Sequence, residues 1–96
     1  MKKDKSVKLK AIREKIDSID DQIIKLVAKR FNEIHKVAEL KDDPGQVVDH
    51  ERIKKILKNI QTKAKKEKLD TEFAVRLWQL FIQEAIRMEY SKLKIN

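Results

Sequence analysis

The feature that most constrains the fold of this chain is one long run of helical periodicity in its N-terminal half. This spacing predicts an amphipathic α-helix from about Ser6, where a serine can cap it, to about Lys41, where Asp42-Asp43-Pro44-Gly45 ends it. The apolar residues of the run recur mostly at steps of three and four: Leu9, Ile12, Ile16, Ile19, Ile23, Leu26, Val27, Ile34, Val37 and Leu40.

The predicted helix is too long for the chain that carries it. At about 1.5 Å per residue, the segment 6–41 spans about 52 Å, whereas a compact domain of 96 residues is roughly 32 Å across. The helix must therefore extend beyond its own domain, and a second chain is needed to cover its apolar face. We expect one domain over residues 1–96, a flexible basic tail over 1–7, and a homodimer.

Two shorter helices are predicted after the break. The second begins near Asp49 and the third at Asp70, because each aspartate can cap a helix. No segment has the alternation of a strand. The predicted buried residues are Ile53, Ile56, Leu57, Ile60 and Ala64 in the second helix, and Phe73, Leu77, Trp78, Phe81, Ile82, Ala85 and Met88 in the third. The sequence predicts an all-α fold of one long and two medium helices in an intertwined homodimer.

Composition excludes several classes of function. The chain has no cysteine, which excludes a disulfide framework and a cysteine nucleophile, and we expect no bound metal. The absence of thiols fits a cytoplasmic location, which we expect for this protein. Since no apolar run approaches the length of a membrane span, we expect a soluble protein without a membrane partner. A formal net charge of +8 could attract nucleic acid. Acids and bases are interspersed, however, and no recognition-helix motif is present, so we expect no nucleic-acid partner.

Charged residues interrupt the apolar pattern of the first helix. Arg30 is one of five residues spaced by sevens, with Leu9, Ile16, Ile23 and Val37. A cation on an apolar face is costly unless an anion meets it, so Arg30 forms a buried ion pair, extends its head group to solvent, or binds an anionic ligand. Lys41 follows three turns later on the same face, and the two side chains can converge on one small anion.

Two further charged residues, Arg13 and Glu89, are candidates for the site. Arg13 precedes Arg30 by seventeen residues, about 25 Å along a helix, so one small ligand cannot contact both within one chain. An antiparallel partner helix could bring its own Arg13 beside Arg30. Glu89 follows Trp78 and Ala85 at helical spacing and therefore faces inward, where it is either a counter-ion or a protonated hydrogen-bond donor.

Nearly the whole chain, about residues 8–92, resembles the all-α (AroQ-class) chorismate mutases. The resemblance rests on residues 11–17 (AIREKID), 26–30 (LVAKR), 49–52 (DHER) and 76–82 (RLWQLFI), with Lys41 at the family's spacing. It implies the pericyclic rearrangement of chorismate, a small dicarboxylate, to prephenate, without a cofactor. It further implies that Arg30 and the second chain's Arg13 hold the two carboxylates.

The resemblance also implies the roles of the other candidate residues. Lys41 and Glu89 lie at the ether oxygen that gains negative charge as its bond breaks. Arg52 helps to fix the anion, and Asp49 lies near the ring hydroxyl. Ala85 occupies the position of a hydroxyl residue that contacts a carboxylate.

Several positions depart from the family pattern. Ile53 replaces a glutamate that binds the ring hydroxyl, Glu89 replaces the glutamine common in bacterial members, and the loop between Lys41 and Asp49 is slightly short. An isochorismate pyruvate lyase or an amino-chorismate mutase on the same fold therefore stays open. From another class, a non-catalytic basic helical dimer that binds nucleic acid is the remaining alternative.

Overall fold

The computed structural model describes residues 2–93, with the backbone alone for Lys2 and Lys3. Its elements are α1 (Lys2–Glu39), a 3₁₀ turn (Pro44–Gln46), α2 (His50–Lys66) and α3 (Thr71–Lys92). Within residues 2–93 there is no strand, so the all-α prediction of one long and two medium helices is confirmed. Among these same residues, no helix combines the length and the apolar character that a membrane span requires.

Helix α1 begins earlier and ends earlier than predicted. The N-cap predicted at Ser6 is wrong, because the helix already begins at Lys2 and includes residues 2–7, where we expected a flexible tail. Lysine is a good helix former, and the carboxylate of Asp4 in the first turn opposes the positive end of the helix dipole. At its other end the helix stops at Glu39, two residues before the predicted end.

The chain divides into two compact units between Glu33 and Ile34. The first unit is the larger part of α1, and its apolar residues are substantially exposed to solvent in the single chain. Leu9, Ile12, Ile16, Ile19 and Ile23 are each between 45% and 54% exposed. Among residues 4–33, whose side chains the structure describes, nothing covers the apolar face that the sequence predicts.

The second unit begins at Ile34 and contains the α2–α3 hairpin, in which α2 packs against α3. The predicted apolar residues of α2 are half-buried, and Ala64 is buried, as expected. In α3 the prediction for Phe73 is wrong: it is 46% exposed, and the neighbouring Ala74 is buried instead. Further along, Trp78 packs edge-to-face on Phe81 with ring centroids 5.2 Å apart.

The predicted caps of both shorter helices are confirmed. The Asp49 carboxylate accepts a hydrogen bond from the Arg52 N–H (3.0 Å), and the Asp70 carboxylate accepts one from the Glu72 N–H (2.9 Å). Each carboxylate satisfies a backbone donor that has no partner within the helix. The two helices therefore begin where their sequences provide a cap.

A Schellman motif ends α2 and turns the chain into α3. The Leu69 N–H donates to the Ala64 carbonyl (2.9 Å), and the Lys68 N–H donates to the Lys65 carbonyl (3.1 Å). Lys68 itself adopts the left-handed conformation, with a φ of 58°. Glycine normally occupies this position, because a Cβ atom is strained there.

We predict that Lys68→Gly stabilises the protein. Relief of the left-handed strain outweighs the extra chain entropy of glycine, for a net gain of about 0.5–1 kcal/mol. The control is Lys58→Gly in the middle of α2, which should destabilise by about 0.8 kcal/mol. Urea midpoints at one fixed protein concentration measure both, and an equal loss in the two variants would contradict the prediction.

Candidate active site

Lys41 and Glu89 form an ion pair in the second unit. The Lys41 Nζ lies 3.1 Å from the Glu89 Oε1, and their side chains are 22% and 7% exposed. The inward orientation predicted for Glu89 is thereby confirmed. An ammonium group has three N–H donors, so Lys41 can hold Glu89 with one of them and still donate to a bound anion.

Local structure brings this pair together. Lys41 lies just past the end of α1, where its N–H donates to the Ala38 carbonyl (3.2 Å). Glu89 belongs to the last two turns of α3, one turn after the half-buried Ala85. The half-buried face of α3 therefore carries Ala85 and Glu89 in successive turns.

A second ion pair on α3, between Glu84 and Arg87, is exposed and serves as a comparison. Glu84 accepts a hydrogen bond from the Arg87 Nε (2.9 Å), and this bond holds the pKa of the Glu84 carboxyl below its usual range. Both side chains are largely exposed, at 50% and 73%. Water screens such a pair, whereas the pair at Glu89 is largely removed from water.

Asp49 and Arg52 meet at the start of α2. The cap described above uses the Asp49 Oδ1, so one carboxylate oxygen is left for other contacts. Both residues line a shallow depression of about 510 Å³ together with Glu51, Lys54, Lys55 and Lys58. The sequence reasoning did not include these three lysines. Lys54 and Lys55 follow Glu51 by three and four residues, and Lys58 follows Lys54 by four. This helical spacing is the signal that could have found them.

The remaining candidates lie on α1 and on the buried face of α2. Arg13 is exposed and Arg30 is half-buried. They are seventeen residues apart on one helix, about 25 Å along its axis, so a single chain does not bring them to one small ligand. Ile53 is half-buried in the apolar stripe of α2, as the sequence predicted.

Residues 12–90 match the model of the chorismate mutase type II family. The chain belongs to this family. A chorismate mutase of Methanocaldococcus jannaschii is 36% identical over 86 residues, which cover 86% of this chain and 87% of the relative. The family predicted from the sequence is thereby confirmed.

Other relatives of this chain are larger proteins. A bifunctional chorismate mutase/prephenate dehydratase of Buchnera aphidicola is 37% identical over 83 residues, 85% of this chain and 22% of the relative. The protein of the same description from Escherichia coli is 32% identical over 89 residues, 90% of this chain and 22% of the relative. The chain thus spans about a fifth of the length of these bifunctional relatives. No solved structure matches it.

Proposed function

We propose that the chain is a chorismate mutase, an isomerase that converts chorismate to prephenate in aromatic amino-acid biosynthesis. The observation that carries the proposal is the Lys41–Glu89 pair, a cation held beside an acid in a largely buried place. The resemblance to the family implies that both positions lie at the ether oxygen. We further propose that the enzyme acts in the cytoplasm.

The reaction needs little besides positioning and electrostatics. Chorismate must be held in a compact conformer, and negative charge that develops on its ether oxygen must be stabilised. An ammonium group at a partly desolvated position stabilises such charge more than water does. Lys41 fits this role, because its contact with Glu89 orients the side chain before the substrate binds.

Arginines are suited to the two carboxylates of the substrate. The planar guanidinium binds a carboxylate through two parallel hydrogen bonds, which fixes its orientation as well as its charge. We assign Arg30 and Arg13 to the carboxylates and Arg52 to the same anion. Asp49 retains one oxygen that can accept from the ring hydroxyl, and Ala85 adds an apolar contact.

We propose that two chains form the enzyme and share its active sites. In the described residues, the buried hydrophobic residues are three alanines and one valine, a small core for a chain of this length. The exposed apolar face of α1 offers the burial that this core lacks. Antiparallel packing of two such helices also explains how Arg13 of one chain can reach the ligand of Arg30 in the other.

Ile53 favours a second candidate function. It lies half-buried in the apolar stripe of α2, where the family glutamate would bind the ring hydroxyl. Isochorismate pyruvate lyases share the fold and also lack this glutamate, and their substrate carries its hydroxyl at another ring position. An amino-chorismate mutase is possible for the same reason.

The deciding experiment is incubation of the purified chain with chorismate and, separately, with isochorismate. We expect the chain to form prephenate from chorismate. We also expect it to release pyruvate from isochorismate no faster than it forms prephenate. Prephenate is measured by its acid conversion to phenylpyruvate, and pyruvate by a coupled reduction. Faster pyruvate release would favour the lyase, whereas no turnover together with salt-sensitive DNA binding would favour the binding protein.

A mixed dimer tests the shared site. Arg13→Ala and Arg30→Ala should each abolish most activity while the dimer persists. Unfolding and refolding the two variants together places one intact site in each heterodimer, which should restore about a quarter of wild-type activity under random mixing. Sedimentation gives the oligomeric state. A fully active monomer, or a mixture no more active than its parts, would contradict the proposal.

The role of Glu89 predicts a dependence on pH. A carboxylate would repel the developing charge on the ether oxygen, whereas a carboxylic acid can donate a hydrogen bond to it. Activity should therefore rise as the assay pH is lowered from about 8 toward 5, because only the protonated form of this carboxyl can donate to the ether oxygen. Glu89→Gln supplies an amide donor of nearly the same shape, so it should lose this acid preference and gain activity near neutral pH.

Initial rates with saturating chorismate over this pH range test the prediction. Glu84→Gln is the matched control, because Glu84 lies on the same helix but is exposed and paired with Arg87. It should keep the wild-type pH profile. A flat wild-type profile, or an inactive Glu89→Gln variant at neutral pH, would show that Glu89 is not the donor.

A further inference from the structure

The loop between Lys41 and Asp49 connects two parts of the proposed active site. Lys41, the proposed donor to the ether oxygen, stands at its beginning, and Asp49, the cap of α2, stands at its end. Only seven residues lie between them. In so short a loop, the path of the backbone is closely coupled to the positions of these two residues.

One side chain holds the beginning of this loop to its middle. The Gln46 Oε1 accepts hydrogen bonds from the Asp42 N–H (3.1 Å) and the Asp43 N–H (3.3 Å). In the opposite direction, the Asp43 Oδ1 accepts from the Gly45 N–H (3.0 Å). The pattern is a reciprocal capping box around the Pro44–Gln46 turn.

The two donors that Gln46 binds follow directly after Lys41 in the chain. The next residue after Gln46 is Val47, which is 4% exposed and therefore anchors the turn in the second unit. The hydrogen bonds to the Gln46 side-chain oxygen thus connect the backbone after Lys41 to the residue that precedes the buried Val47. The ammonium group at the tip of the Lys41 side chain is held by its ion pair with Glu89.

We propose that Gln46 is a positioning residue for the reaction, acting through Lys41. This inference rests on the proposed function. Gln46 is exposed and need not touch the substrate. Its two hydrogen bonds keep the backbone after Lys41 in one path, so that the ammonium group meets the ether oxygen without first reordering the loop. Sub-ångström placement of such a donor matters mainly in the transition state.

The proposal predicts a particular pattern in the kinetics of two variants. Gln46→Met has nearly the same shape but no amide oxygen, and its kcat should fall about tenfold while KM changes less than about twofold. Gln46→Glu keeps an acceptor that a capping box tolerates, and should retain kcat within about twofold at neutral pH. A purely structural role would lower stability without this division between kcat and KM.

Four measurements complete the test. Amide hydrogen exchange should become faster at Asp42 and Asp43 in Gln46→Met, and thermal melting should be close to wild type. Gln61→Met, at an exposed glutamine of α2, is the control and should leave kcat unchanged. Gln46→Asn keeps the amide but shortens its reach by one methylene group, and should also lose kcat.

The outcomes separate this inference from the proposed function. A wild-type chain that does not turn over chorismate overturns both. Normal wild-type turnover with an unchanged kcat in Gln46→Met, or an equal loss of kcat in Gln46→Glu, overturns the inference alone. Unchanged exchange at Asp42 and Asp43 would also overturn it, since the hydrogen bonds would then be absent in solution.

Discussion

The shortage of apolar burial within one chain is the constraint on which the rest of this structure depends. The buried hydrophobic residues that the structure describes are Ala38, Val47, Ala64 and Ala74, which together remove little apolar surface from water. Most larger apolar side chains of α2 and α3 are only half-buried, and those of α1 are largely exposed. Because hydrophobic burial is the main favourable term in folding, this shortage supports the proposal that two chains associate.

The small core also bears on the one charged residue that is buried among the described residues. Glu89 is the one charged residue among the buried residues described, and it is paired with Lys41 rather than isolated. A buried pair of this kind adds little stability compared with an apolar contact, and it becomes costly when one partner is removed. In a chain with so small a core, the pair therefore contributes little to folding, which is in keeping with the catalytic role proposed for it.

The sequence predicted those features that depend on local or periodic patterns. Asp49 and Asp70 were correctly identified as caps, because a cap requires only its own side chain and the next backbone donors. The inward orientation of Glu89 followed from its spacing relative to Ala85. By contrast, the Ser6 cap and the burial of Phe73 were wrong. At Ser6, the helix propensity of the preceding lysines competes with capping by the serine. At Phe73, two adjacent positions of the α2–α3 hairpin, Phe73 and Ala74, compete for the buried place.

Charge balance in the proposed site connects Ile53 to specificity. In the proposed site, the basic side chains of Arg13, Arg30, Lys41 and Arg52 outnumber the acidic side chains of Glu89 and Asp49 by two, which suits a substrate with two carboxylates. A glutamate at position 53 would reduce that excess to one. Under this proposal, Ile53 favours anion binding in general, at the expense of a group that recognises the ring hydroxyl. Because one oxygen of Asp49 is already used in capping α2, the proposal leaves the other Asp49 oxygen to discriminate between chorismate and its hydroxyl isomers.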